Sequence, residues 1–220
     1  MALGSTSTRT LIVTVPGSPH RLEARLHSSA KLTTALAVIG PPHPMYGGTI
    51  DNPVVRAMER VLQRRGLDTL AFNFRGTGES EGEQTGAYEE ALADYLGATG
   101  ALPDAQLHWL SGYSFGSVAA LATAVALDAP RVLLVGPPLG MLDPMLVTRF
   151  RGQLAVLVGS EDEYAPVSAV RALFEARAHT TIEVLPGVDH FFLGSDVQRL
   201  VDGLTRLLER CEAEEPPHAS

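Results

Sequence analysis

The sequence predicts an α/β fold, a doubly wound and mainly parallel sheet of about eight strands with helices on both faces. Two observations carry that reading. Short apolar runs of strand length recur along the chain, and stripes at helical three-and-four spacing separate them, whereas alternating apolar and polar positions are confined to the first strands. Strands that alternate with helices need right-handed crossovers, and such crossovers make neighbouring strands parallel.

Arg9 to Val15 and Arg21 to Leu26 alternate, so they are expected as a half-exposed antiparallel pair at one edge. Thr34 to Ile39, Thr69 to Phe74, Leu107 to Leu110, Arg131 to Val135, Leu154 to Val158 and Thr181 to Leu185 are mostly apolar, as strands covered on both faces should be. Asn52 can cap a helix that opens on Pro53, where a missing N–H costs nothing, with Val54, Val55, Met58, Val61 and Leu62 as its buried stripe up to Gly66. A helix of small residues is expected over Ser117 to Leu127, and one short helix fits around Pro144 to Phe150. Ser195 and Gln198 make a capping-box pattern before the stripe Val197, Leu200, Val201, Leu204, Leu207, Leu208 and Cys211, which makes Cys211 a packed thiol. Residues 1–211 are expected to form one domain, followed by a disordered acidic tail from Glu212 to Ser220.

The net charge is -8 and Lys31 is the single lysine, so the chain lacks the clustered cations that nucleic-acid phosphates need. Its longest apolar runs are far below the ~20 residues of a membrane span. The first ten residues carry no basic stretch followed by an apolar one, and Cys211 has no partner for an internal disulfide; both favour the cytoplasm. Nothing in the sequence specifies an oligomeric state. No G-K-[ST] loop, H-E-x-x-H helix or paired cysteines occur, so neither metal nor cofactor is expected. Gly76 and Gly78 follow a strand, but the third glycine of a dinucleotide loop is misplaced, and Glu79, Glu81 and Glu83 would repel a pyrophosphate.

Gly112-Tyr113-Ser114-Phe115-Gly116 stands between a strand and a helix. A serine on so tight a turn needs glycine on both sides, and the turn lifts its hydroxyl above the sheet at a helix N-terminus, where negative charge is favoured. Ser114 is therefore the candidate nucleophile. With this motif the chain resembles the α/β-hydrolase superfamily, and within it small lidless esterases related to dienelactone hydrolases. Phe74-Arg75-Gly76-Thr77-Gly78-Glu79-Ser80 is similar to the superfamily's R-G-x-G-x-S loop. Pro42-His43-Pro44-Met45-Tyr46-Gly47-Gly48 falls where its oxyanion loop begins with H-G, although Pro44 replaces the glycine.

A serine hydroxyl needs a base, and His190, after the strand Thr181 to Leu185, is the candidate, with His43 as its rival. An imidazole needs a carboxylate to hold its tautomer; Asp162, beyond the strand Leu154 to Val158, is preferred to Glu161, Glu163 and Asp189, and it gives the order Ser, Asp, His that the superfamily uses. The resemblance implies two oxyanion donors, the Phe115 N–H and one from the first crossover loop. Pro44 has no N–H, so Met45 is preferred to Tyr46 for the second. Only 18 residues, Gly136 to Gln153, separate two successive strands, which leaves no room for a lid. The site is expected to lie open, bordered by Met45, Tyr46, Phe115, Pro138, Tyr164 and Phe191, and to take a small-molecule ester of modest size. A thioesterase, a small peptidase and a binding protein without turnover are the alternatives.

Overall fold

A computed structural model describes residues 7–14, 20–28 and 35–213. Within them the strands are β1 (Ser7–Thr14), β2 (Arg21–Ser28), β3 (Ala35–Gly40), β4 (Asp68–Phe72), β5 (Gln106–Tyr113), β6 (Arg131–Val135), β7 (Gln153–Gly159) and β8 (Thr180–Leu185). They form one eight-stranded sheet in the order β1-β2-β4-β3-β5-β6-β7-β8. The alternating strands β1 and β2 pair antiparallel at one edge, β2 joins β4 antiparallel, and the pairs from β4 to β8 are parallel.

The helices are α1 (Pro53–Arg64), α2 (Tyr88–Thr99), α3 (Phe115–Leu127), α4 (Pro144–Arg149), α5 (Val167–Phe174) and α6 (Asp196–Ala213). One apolar cluster joins the stripes of α1 and α6 to Ala37, Ile39, Leu133, Val135, Ala155 and Leu157 on one face of the sheet. The other joins α2, α3, α4 and α5 to Val38, Leu110, Val132, Leu134, Val156 and Val158 on the opposite face. Adjacent strand residues alternate between the two clusters, as the pleat requires. Each fully buried large aliphatic side chain contributes roughly 1.5–3 kcal/mol, so the covered sheet is a rigid platform for the loops at its carboxyl edge. Cys211 is buried in the first cluster.

Asn52 caps α1 as the sequence predicts, its Oδ1 accepting the Val54 N–H at 2.9 Å. Other details differ. The Gln198 side chain does not reach back in a capping box; its amide donates forward to Asp202 at 2.9 Å. β5 continues past Leu110 because Gly112 and Tyr113 still pair with Gly40 and Val135, so α3 starts at Phe115, directly beyond Ser114. α6 runs to Ala213, two residues into the expected tail; residues 214–220, like Val15 and Thr34 of the expected strands, lie outside the described residues.

Tyr95 of α2 locks the strands beneath the site. Its buried hydroxyl accepts the Ser111 N–H at 2.8 Å and lies 2.8 Å from the Val38 carbonyl, so it bridges β3 and β5. Between β6 and β7 the one helix is the six-residue α4, capped by Asp143, and among the described residues no lid covers the carboxyl edge. Among the described residues, no helix is long and apolar enough to cross a membrane.

Candidate active site

Ser114 sits between β5 and α3 at φ 53° and ψ -123°, a conformation that costs a residue with a side chain on the order of 1–3 kcal/mol. Its neighbours hold it there. The Ser114 N–H donates to the Val135 carbonyl at 2.9 Å, and the Ser117 N–H donates to the Ser114 carbonyl at 2.9 Å. A Cβ at position 112 would overlap the Gly116 carbonyl, and one at position 116 would overlap the carbonyls of Gly40 and Pro41. Glycine at both positions therefore lets β3 and α3 close on the turn.

The loops after β7 and β8 are stitched together by backbone. Ser160 N–H donates to the Leu185 carbonyl at 2.9 Å, and Glu161 N–H to the Val188 carbonyl at 2.9 Å. This brings Asp162 to His190. His190 Nδ1 lies 2.9 Å from Asp162 Oδ2, and its Nε2 lies 3.0 Å from Ser114 Oγ. Asp162 is only 3% exposed and His190 only 6%, so water hardly competes with the contact between them. The other carboxylate oxygen, Oδ1, accepts the N–H groups of Tyr164 and Ala165 at 2.9 Å each. The buried Tyr113 hydroxyl donates to the His190 carbonyl at 2.9 Å and fixes the histidine's loop from below; burial and the nearby Asp162 push the Tyr113 phenol upward and keep it protonated. A hydroxyl, an imidazole and a carboxylate linked in this order can draw a proton off Ser114.

No family model matches the chain. A protein of unknown function from Agrobacterium tumefaciens, described as a candidate α/β hydrolase, is 30% identical; it superposes with a TM-score of 0.82 over 94% of this chain and 100% of that one. The chain belongs to the α/β-hydrolase superfamily. It is also 25% identical to a lidless α/β serine hydrolase of Xanthomonas campestris, with a TM-score of 0.75 over 99% of this chain and 100% of that one. An α/β serine hydrolase homologue from Coxiella burnetii, likewise 25% identical, gives a TM-score of 0.76 over 90% and 96% of the two chains.

In this α/β hydrolase the R-G-x-G-x-S loop is a brace. Arg75 pairs with the fully buried Asp94 of α2 at 2.7 Å, Ser80 Oγ donates to the Asn73 carbonyl at 2.9 Å, and Gln84 donates to the Pro44 carbonyl at 3.1 Å. The first two hold the loop after β4, and the Gln84 bond ties the segment beyond it to the loop after β3.

The loop itself corrects one expectation. Pro44 to Tyr46 form a turn of 3-10 helix, and the Met45 N–H is spent on His43 Nδ1 at 3.2 Å. Tyr46 and Gly48 donate to the His43 carbonyl and Gly47 to the Pro44 carbonyl, so no N–H from 45 to 48 is free for a substrate. The Met45 side chain is half exposed and lies outside the cavity over Ser114. What remains is His43. Its own N–H donates to no group among the described residues, and its ring packs 4.5 Å from Phe115 and 4.9 Å from Tyr46. Burial lowers the His43 imidazole below its ordinary value of 6.5, and Nδ1 must stay unprotonated to accept from Met45. With Nδ1 accepting from Met45, the neutral ring carries its proton on Nε2, and it is His190, not His43, that lies within hydrogen-bond distance of Ser114 Oγ. The Phe115 N–H opens α3 and has no intrahelical acceptor.

A cavity of about 380 Å³ opens over Ser114. Of the residues expected to border the site, Tyr46, Phe115, Pro138, Tyr164 and Phe191 line it, together with Met141, which the sequence did not single out. Glu161 and Glu163 are exposed beside the site, and Asp189 is turned away from His190 to accept the Phe191 N–H at 2.9 Å.

Proposed function

We propose that the chain is a serine hydrolase that cleaves carboxylic esters of soluble, modest-sized substrates through an acyl-enzyme. The observation that carries this reading is the continuous path from Ser114 Oγ through His190 to Asp162, with steps of 3.0 and 2.9 Å, at a strained turn facing an open cavity. Ser114 Oγ attacks the ester carbonyl carbon while His190 Nε2 takes its proton. The imidazolium is held by the ionised Asp162 and returns that proton to the departing alkoxide. Water then loses a proton to His190 and attacks the acyl carbon; the bond from that carbon to Ser114 Oγ breaks, His190 returns the proton to Oγ, and the acid is released. Throughout, the negative carbonyl oxygen needs two donors. The N–H groups of Phe115 and His43 fill that role, since both residues border the cavity and neither N–H is bonded to another group among the described residues.

A fluorophosphonate mimics the attacked ester and tests the reading directly. It is expected to add to Ser114 alone, located by mass spectrometry of the digested protein, and the His190→Ala variant should resist it. Labelling elsewhere, or none, removes the proposal.

The His43 ring positions its own N–H by anchoring Met45, so His43→Ala keeps the donor and loosens its aim. A displacement of about 1 Å can cost up to about 100-fold, and kcat is expected to fall by about ten- to a hundredfold with the fold retained. Because burial lowers the folded-state pKa of His43, its neutral form supports the loop above pH 6.5, and that support is lost as the pH falls from 6.5 through the folded value. Steady-state kinetics with thermal melting checks both; an unchanged kcat would show that the loop is held without the ring.

A further inference from the structure

None of the described residues lining the cavity over Ser114 is an aspartate, glutamate, lysine or arginine. Of the charged groups nearby, Glu161 and Glu163 are exposed anions beside the site, which add like charge against a carboxylate, and the others are engaged or turned away. Asp162 is buried against His190 and two backbone N–H groups, Asp189 is exposed and bonded to the Phe191 N–H, and Arg75 is held by Asp94. The cavity wall is instead aromatic and apolar, with Tyr46, Pro138, Met141, Tyr164 and Phe191 placed around the serine.

We infer that the site selects esters whose acyl group is uncharged, an alkyl or aryl body lying against these side chains, and discriminates against acyl groups that carry a carboxylate or an ammonium. The inference rests on the hydrolase reading above and narrows its substrate class. A charge entering this cavity sheds part of its hydration and finds no counter-ion to replace it, whereas an apolar group is transferred favourably. The carboxylate is the worse of the two, since a net charge of -8 surrounds it with like charge. An ammonium can rest on the face of Tyr164 or Phe191, but attraction to a half-exposed ring is weaker than the desolvation it would have to offset.

Three p-nitrophenyl esters test the rule: the hexanoate, the adipate monoester and the 6-aminohexanoate, each rate divided by its uncatalysed rate. The corrected kcat/KM of the hexanoate is expected to exceed both others by about tenfold or more, and by about a hundredfold for the adipate. A margin under tenfold for either overturns the inference. Met141→Arg adds a cation at the wall and should narrow the gap between hexanoate and adipate at least threefold; a smaller change overturns the assignment of the selection to this cavity. If Ser114 resists the fluorophosphonate and all three esters remain intact, the hydrolase reading falls instead. The charge rule is then measured by binding of hexanamide, adipate monoamide and 6-aminohexanamide, followed by nuclear magnetic resonance, with the same tenfold margin deciding it.

Discussion

Ser114→Ala is expected to lower kcat on any ester the protein cleaves by a factor on the order of 10⁵ to 10⁶. The variant removes the atom proposed to form the covalent bond and leaves the rest of the site in place. Position 114 keeps its Cβ, its N–H still donates to Val135, and the turn at φ 53° is no more strained than before. Stability should therefore change by no more than about 1 kcal/mol. The two N–H groups proposed as oxyanion donors and the cavity also persist, so a residual rate roughly 10³ to 10⁴ above the uncatalysed reaction is expected. His190→Ala should fall to a similar level, and the double variant should fall no further, because the serine is a poor nucleophile without its base and the base has no task without the serine. Burst and steady-state kinetics beside circular dichroism melting check this. Wild-type turnover in Ser114→Ala would remove the serine from the chemistry.

The sheet was legible because buried strands and helical stripes differ in period and length. Arg131–Val135 matches residue for residue, and the Asn52-Pro53 start of α1 is fixed by a local rule that tertiary contacts leave untouched. Two helices escaped notice. α2 is rich in alanine and contains Gly97, so its apolar face contrasts weakly with the rest, and Ala87 offers no side-chain cap. α5 spans only eight residues, buries just Val170 and Phe174, and starts after Pro166, again without a side-chain cap. The continuation of β5 through Ser111, Gly112 and Tyr113 was hidden for another reason: these residues read as a turn, and only pairing with β3 and β6 keeps them extended. In the loop after β3 the signal was present but unused. Pro41, Pro42 and Pro44 have no N–H, so His43 is the one donor before Met45, and counting donors would have singled it out. That the His43 ring then consumes the Met45 N–H depends on packing against Phe115 and Gly86, which no local pattern encodes. For the carboxylate, sequence could only favour Asp162 over its neighbours. The distinction is made by the turn after β7, which buries Asp162 while leaving Glu161 and Glu163 in solvent.

Asp162→Asn is expected to lower kcat by a factor on the order of 10⁴ while the protein melts close to the wild type. The direction follows from how the carboxylate is held. Oδ1 accepts two backbone N–H groups, from Tyr164 and Ala165, and only an oxygen can occupy that place. In the asparagine variant the carbonyl oxygen must stay there, which puts the amide NH₂ where Oδ2 now faces His190 Nδ1 at 2.9 Å. A neutral imidazole beside that donor must accept through Nδ1 and carry its proton on Nε2. Nε2 would then point an N–H at Ser114, 3.0 Å away, and could no longer take the serine's proton. The negative charge that steadies the imidazolium is lost as well. Substituting Glu161 or Glu163 by glutamine should by contrast change kcat by less than about twofold, as expected for exposed loop charges that touch neither ring nitrogen. Parallel kinetics on the three variants, with melting curves to show that each is folded, separate the possibilities. Full activity in Asp162→Asn, or a large loss in either glutamine variant, would move the orienting role to another acid.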